Sequence, residues 1–154
     1  MGHRRSGAQR PARRVEAACT MSRAFVKGKY VLQTLSIAAG GALGAVLRYW
    51  VSSGVYHLTG RAFPFGTLVV NVLGSLVMGL LFVLLMERSA AAPEWRALLL
   101  VGLLGAFTTF STFSMETLAL MQEGAWVRAA ANVLLSVTAC IAAAWLGVLI
   151  GRNL

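Results

Sequence analysis

The chain has 154 residues, 58% of them hydrophobic and 12% charged, with a mean hydropathy of +0.72. Soluble domains carry about 25% charged residues, so this composition excludes an ordinary soluble domain and indicates an integral membrane protein. The net charge of +9 is concentrated: residues 1–30 hold eight Lys or Arg against Glu16 alone, while residues 31–154 hold six basic and four acidic residues. Cys19 and Cys140 cannot build a disulfide framework, and His3 and His57 stand alone, which excludes a metal-ligand cluster.

Residues 1–30 read as a basic, disordered tail. Runs of Lys and Arg neutralise phosphates, but the arginine-rich part lacks aromatic interleaving and leads straight into an apolar segment. A membrane surface fits it better than nucleic acid. It is not a secretory signal, because no apolar core with a small-residue cleavage site precedes residue 30.

Residues 31–154 contain four candidate spans, each near the roughly 20 apolar residues that cross a bilayer. The first, Val31–Leu58, contains Arg48 and the run Gly40-Gly41-Ala42-Leu43-Gly44. The second, Phe65–Met86, has 22 residues and no charge, with Asn71 near its middle, Thr67 one turn earlier, and Ser75 and Gly79 four apart. The third runs from Ala97 to Met121. The fourth, Ala129–Gly151, is charge-free and carries Asn132 and Ser136 four apart on one face. Small residues at four-residue spacing let helix backbones approach closely in lipid, and packing is the expected role of these glycines. The connectors TGRAFP, ERSAAAPEW and QEGAW are short, and Pro64 and Pro93 mark where helices begin.

Four spans place both termini on one side. Arg88, Arg96 and Arg152 then face that side and Arg61 and Arg128 the other, almost no positive-inside bias. Such balance suits a chain inserted in both orientations and paired head to tail. The tail's eight positive charges favour one orientation, with the N-terminus in the cytoplasm.

The third span contains GAFTTFSTFSMET, residues 105–117. Phe110 and Phe113 share a helical face, with Thr109, Thr112 and Glu116 repeating beside them. A hydroxyl in a span can be silenced by bonding to the carbonyl four residues earlier. Five Ser or Thr within seven residues, just after Gly105, exceed what such back-bonding needs. The segment beginning at Gly105 and the Thr-Thr step is therefore expected to open the helix. Irregular backbone at membrane depth survives only where protein or a water-filled cavity receives its polar groups, and such broken helices use unwound carbonyls to hold cations. Asn71 requires partners, because an unpaired buried amide costs a few kcal/mol.

The segments GGALGAVLRYW (40–50), GTLVVNVLGSLVMG (66–79) and GLLGAFTTFSTFSMET (102–117) resemble, in order and spacing, the signatures of the CrcB/Fluc fluoride channel family. The resemblance spans residues 35–151, and the third segment is its most specific part. It implies an all-α integral membrane fold of four transmembrane helices, the third broken, assembling as an antiparallel dual-topology homodimer in the bacterial plasma membrane. It further implies passive, fluoride-selective export through two pores at the subunit interface. On this resemblance Gly105 and Thr108 help hold a central structural sodium ion. Asn71, Phe110, Phe113, Thr112 and Ser136 line the pore, Arg48 stands near its entrance, and Glu116 is the acidic residue of the third helix. Cys140 stands where a hydroxyl would extend the track beyond Ser136, and the long basic tail departs from the family pattern.

Fluoride is small and strongly hydrated, so entry requires replacement donors such as the Asn71 amide and the Thr112 and Ser136 hydroxyls. The positive ring edges of Phe110 and Phe113 can receive an anion without trapping it, the compromise that conduction requires. Arg48 either concentrates anions at the mouth or snorkels to the interface. Glu116 has no role from charge alone, beyond that of an acceptor or a gate. Among competing readings, a small multidrug exporter calls for a carboxylate in the first span, which has none. A hydrolase calls for a base beside its nucleophile, which the lone His57 does not supply. A structural subunit, or one half of a heterodimeric channel oriented by the tail, are the remaining alternatives.

Overall fold

A computed structural model describes residues 9–89 and 91–154, with side chains from residue 28 onward. The expected tail, residues 1–30, falls outside these described side chains except for its last three residues. Among the described residues all regular structure is helical. Four helices among these residues are long and apolar enough to cross a membrane. Helix α1 runs Gln9–Thr59, and its part of membrane-crossing length and composition is Gly28–Thr59. Helices α2 (Phe65–Arg88), α3 (Pro93–Gln122) and α4 (Trp126–Asn153) follow. Each contains the span expected from hydropathy at its position.

The helix ends follow local chemistry. Gly60 and Gly124 have φ of 74° and 75°, the left-handed conformation in which glycine stops a helix without steric cost. Gly60 N–H donates to Tyr56 C=O (3.0 Å) and Gly124 N–H to Met121 C=O (3.0 Å), using carbonyls that helix ends leave unpaired. Pro64 caps the start of α2, and Pro93 occupies the first turn of α3, where its missing N–H costs nothing. The ends of α2 and α3 nearest the 89–92 connector are wound with π-type turns, over Val83–Arg88 and Ala97–Leu104.

Two close helix pairs organise the fold: α2 lies along α4, and α1 lies along the first half of α3. Glycine makes both possible. A Cβ on Gly79 would strike the Ala144 carbonyl oxygen, and one on Gly147 the Leu76 carbonyl oxygen. In the other pair, Gly40 faces the Leu98 carbonyl and Gly44 the Leu103 carbonyl. The packing role expected of Gly40, Gly44 and Gly79 is what the structure shows. Few large side chains are buried; Val70, Val83, Leu104 and Leu120 are among them, while Val127, Leu134 and Trp145 point outward. In lipid, apolar side chains need not be gathered inside, and backbone proximity becomes the main source of packing energy.

Polar contacts tie the two ends. Arg128 Nη1, in the first turn of α4, donates to Ala62 C=O in the 60–64 connector at 2.9 Å. At the opposite end Arg152 forms a forked ion pair with Glu87, at 3.1 and 3.2 Å.

Candidate functional site

Helix α3 is not continuous in backbone conformation. Gly105–Phe107 is helical, Thr108 (φ −77°, ψ 157°) and Thr109 (φ −151°, ψ 113°) are extended, and helix resumes at Phe110. Gly105 itself keeps helical angles (φ −62°, ψ −35°), so the extended step lies three residues beyond it. β-Branched Thr suits extended backbone, and the step has a dedicated partner on α2. Thr109 N–H donates to Asn71 Oδ1 at 2.8 Å, and Asn71 Nδ2 donates to Thr109 C=O at 3.0 Å. The Asn71 amide thus pairs with one residue's backbone as a strand neighbour would. In an unbroken helix the Thr109 N–H would donate to the Gly105 carbonyl. Here Asn71 takes it, and Gly105 C=O loses its helical donor.

The second half of α3 starts with a side-chain cap. Thr109 Oγ1 accepts from Thr112 N–H (3.3 Å) and donates to Thr112 Oγ1 (2.9 Å), filling one of the vacant positions at a helix start. The other hydroxyls of the segment divide. Thr108, Ser114 and Thr117 bond back to the carbonyls of Leu104, Phe110 and Phe113, at 3.0, 2.9 and 2.7 Å. More of the hydroxyl-rich stretch is locally satisfied than its density suggests, and the part that does not turn back onto the helix is Thr109 with Ser111 and Thr112, whose hydroxyls lie 3.4 and 2.9 Å from that of Thr109.

Beside the extended step runs a groove of about 390 Å³ bringing together Asn71, Thr108, Thr109, Phe110, Phe113 and Ser136, with Cys140 one turn beyond Ser136. The Phe110 and Phe113 rings are 5.4 Å apart, tilted by 45°. Phe113 is buried at 9% exposure while Phe110 is 78% exposed. Ser136 donates to Asn132 Oδ1 (3.4 Å), and Asn132, 1% exposed, donates to Thr117 Oγ1 at 2.8 Å. Asn132 therefore serves as glue between α4 and α3.

Thr112, Arg48 and Glu116 line a different chamber, of about 240 Å³, together with Thr67, Thr109 and Tyr56. The two hydroxyls expected on one track, Thr112 and Ser136, thus face separate spaces, and Thr109 borders both. Gly105 borders neither. Glu116 Oε1 accepts from Tyr56 OH at 2.7 Å and from Thr67 Oγ1 at 2.9 Å.

The sequence pattern gives Tyr56 no role, and it places Thr109 beside Thr112 and Glu116 without making it a site residue. The signal for Tyr56 was present: Arg48, Ser52 and Tyr56 are spaced by four, one face of α1, and all three line the chamber. The signal for Thr109 was weaker, since its pairing depends on a side chain 38 residues away.

As an ensemble the site offers hydroxyl and amide donors, aromatic edges and one arginine to a small anion, and backbone carbonyls at the extended step to a hard cation. The profile of a family described as CrcB-like protein, Camphor Resistance (CrcB), matches residues 35–148. The chain is 57% identical over 123 residues to a protein of Methylococcus capsulatus named fluoride-specific ion channel FluC, covering 80% of this chain and 54%, about half, of that protein's length. Proteins of the same name from Magnetococcus marinus and Coxiella burnetii are 56% and 55% identical over 121 and 124 residues, covering 79% and 80% of this chain and 98% and 100% of theirs.

Proposed function

The chain belongs to the CrcB-like protein family, and on that footing we propose that it is a fluoride-selective channel, passively exporting fluoride across a bacterial plasma membrane to relieve fluoride toxicity. Residues 31–154 form the channel and residues 1–30 a basic tail at the membrane surface. The observation that carries this reading is the extended Thr108–Thr109 step, held by Asn71 beside the Phe110–Phe113 pair. We read that step as the break in the third helix. It supplies irregular polar backbone at membrane depth, which a purely structural span has no reason to keep.

Phe110 supports assembly as an antiparallel, dual-topology homodimer. A ring 78% exposed on one chain, next to a largely apolar groove that also holds Asn71, Thr109 and Ser136, suits a pore completed by a second copy. The groove's donors are the second hydrogen of the Asn71 amide and the Ser136 hydroxyl once it leaves its 3.4 Å bond to Asn132 Oδ1, and Arg48 faces the chamber on the other side of Thr109. The central sodium fits the same residues. Gly105 C=O is without its helical donor, and the extended ψ of Thr108 turns its carbonyl out of the helical direction. Two carbonyls are fewer than the roughly six oxygens that hard cations collect, and a second copy would supply two more. Bound there, sodium would add positive field and tie two opened helices together.

The test is fluoride release from liposomes holding the purified chain alone, followed with a fluoride electrode, with chloride release and Phe110→Ile in parallel. Fast, fluoride-selective release is expected from the native chain. Phe110→Ile should abolish it without lowering thermal stability of the chain, because an exposed substitution costs within about 0.5 kcal/mol. Absence of release from folded protein would overturn the homomeric reading and direct attention to a partner chain.

A further inference from the structure

The chamber lined by Thr109 and Thr112 does not end at Glu116. A second cavity of about 560 Å³, lined by Arg61, Glu123 and Arg128, opens towards the 60–64 and 123–125 connectors. Ser52, Tyr56 and Glu116 line both spaces and form the partition between them. One of the three residues where the two spaces adjoin is a carboxylate.

Glu116 and Arg48 line the same chamber, yet among the described residues the ion pair is Glu87 with Arg152, and Arg48 and Glu116 form none. Opposite charges lining one space attract, and the Glu116 carboxylate is engaged elsewhere. Both hydroxyl donors, Tyr56 OH at 2.7 Å and Thr67 Oγ1 at 2.9 Å, converge on Glu116 Oε1. Glu116 Oε2 is buried with no partner among the described residues, so the carboxylate's pose depends on those two hydroxyls. Tyr56 is itself fixed. Its ring stands over Gly66, where a Cβ would lie 2.5 Å from Cε2 and 2.7 Å from Cζ, and the Arg61 guanidinium carbon is 5.7 Å from the ring centroid.

We propose that Tyr56 is a positioning residue for anion passage: its phenol pins the Glu116 carboxylate to the wall of α1 and α2, keeping it from pairing with Arg48 and closing the chamber. The inference rests on the channel reading. Tyr56 binds no ion itself; it acts through Glu116. Without its hydroxyl, the carboxylate retains Thr67 alone and turns towards the cation across the chamber.

The experiment is a double-mutant cycle in the liposome assay, on the full chain. Tyr56→Phe keeps the ring over Gly66 and should slow fluoride release roughly tenfold, the equivalent of losing about one hydrogen bond to a charged group. In a Glu116→Gln background, the same substitution should change the rate by less than about twofold, because no carboxylate remains to be released. A structure of Tyr56→Phe supplies a readout independent of flux, with Glu116 expected within the roughly 4 Å of an ion pair from Arg48. Thr67→Val, which removes the other donor, should act in the same direction and serves if Tyr56→Phe does not fold. A native rate in both single variants overturns the proposal, as does an undiminished loss in the Glu116→Gln background. A native chain that releases no fluoride overturns the channel reading instead, and with it the premise.

Discussion

Replacing Asn71 by Leu removes an amide of similar size and leaves the backbone of Thr109 with nothing to pair with at membrane depth. Two hydrogen bonds disappear, Thr109 N–H to Oδ1 (2.8 Å) and Nδ2 to Thr109 C=O (3.0 Å), around a residue only 7% exposed. Leaving a buried donor or acceptor unsatisfied costs about 1–3 kcal/mol each, so the variant should lose about 2–6 kcal/mol. At about 2–4 °C per kcal/mol for a chain of this size, Tm in detergent should fall by roughly 4–24 °C. The chain has one escape: Thr109 can return to helical angles and donate to the Gly105 carbonyl. That would hold Tm near the low end of the loss while destroying the extended step, and fluoride release should then fail although the protein survives. Thermal unfolding, hydrogen exchange at the Thr109 amide and fluoride release distinguish these cases. Native Tm together with native exchange protection at Thr109 would refute the reasoning, because it would mean that Asn71 does not hold the step.

At the α2–α4 contact, Gly79→Val places side-chain carbon against the Ala144 carbonyl. Overpacking of this kind costs about 1–3 kcal/mol or more, so the variant should unfold at lower temperature in detergent, whereas Gly54→Ala, where a Cβ meets nothing, should not. At the exposed end, Glu87→Gln breaks the forked pair with Arg152. Exposed ion pairs contribute little and are screened by salt, so its unfolding curve should overlay that of the native chain at physiological ionic strength.

Residues one to four apart in the chain were legible in advance. The four spans, their proline starts and the small-residue faces follow from the sequence, because a bilayer imposes a single length and polarity requirement on every crossing segment. The hydroxyl density around Thr108 to Thr117 is likewise local. Its meaning was less local, since Thr108, Ser114 and Thr117 turn back onto their own helix while Thr109 and Thr112 do not.

The division between Thr112 and Ser136 shows why. On paper both extend one track of hydroxyls; in the fold they face separate spaces on either side of Thr109, because a residue's helical face says nothing of what stands across from it. By itself the sequence determined four apolar crossings, glycine seams between helices, and one segment too polar for a plain span. Only the tertiary structure decided that Gly79 meets Ala144, that Asn71 pairs with Thr109 across 38 residues, and that Tyr56 reaches Glu116 across 60. The physical reason is the same in each case: periodicity and hydropathy are properties of one helix against its solvent. A hydrogen bond between helices depends on their relative depth and rotation, which are set when glycine seams bring the backbones together.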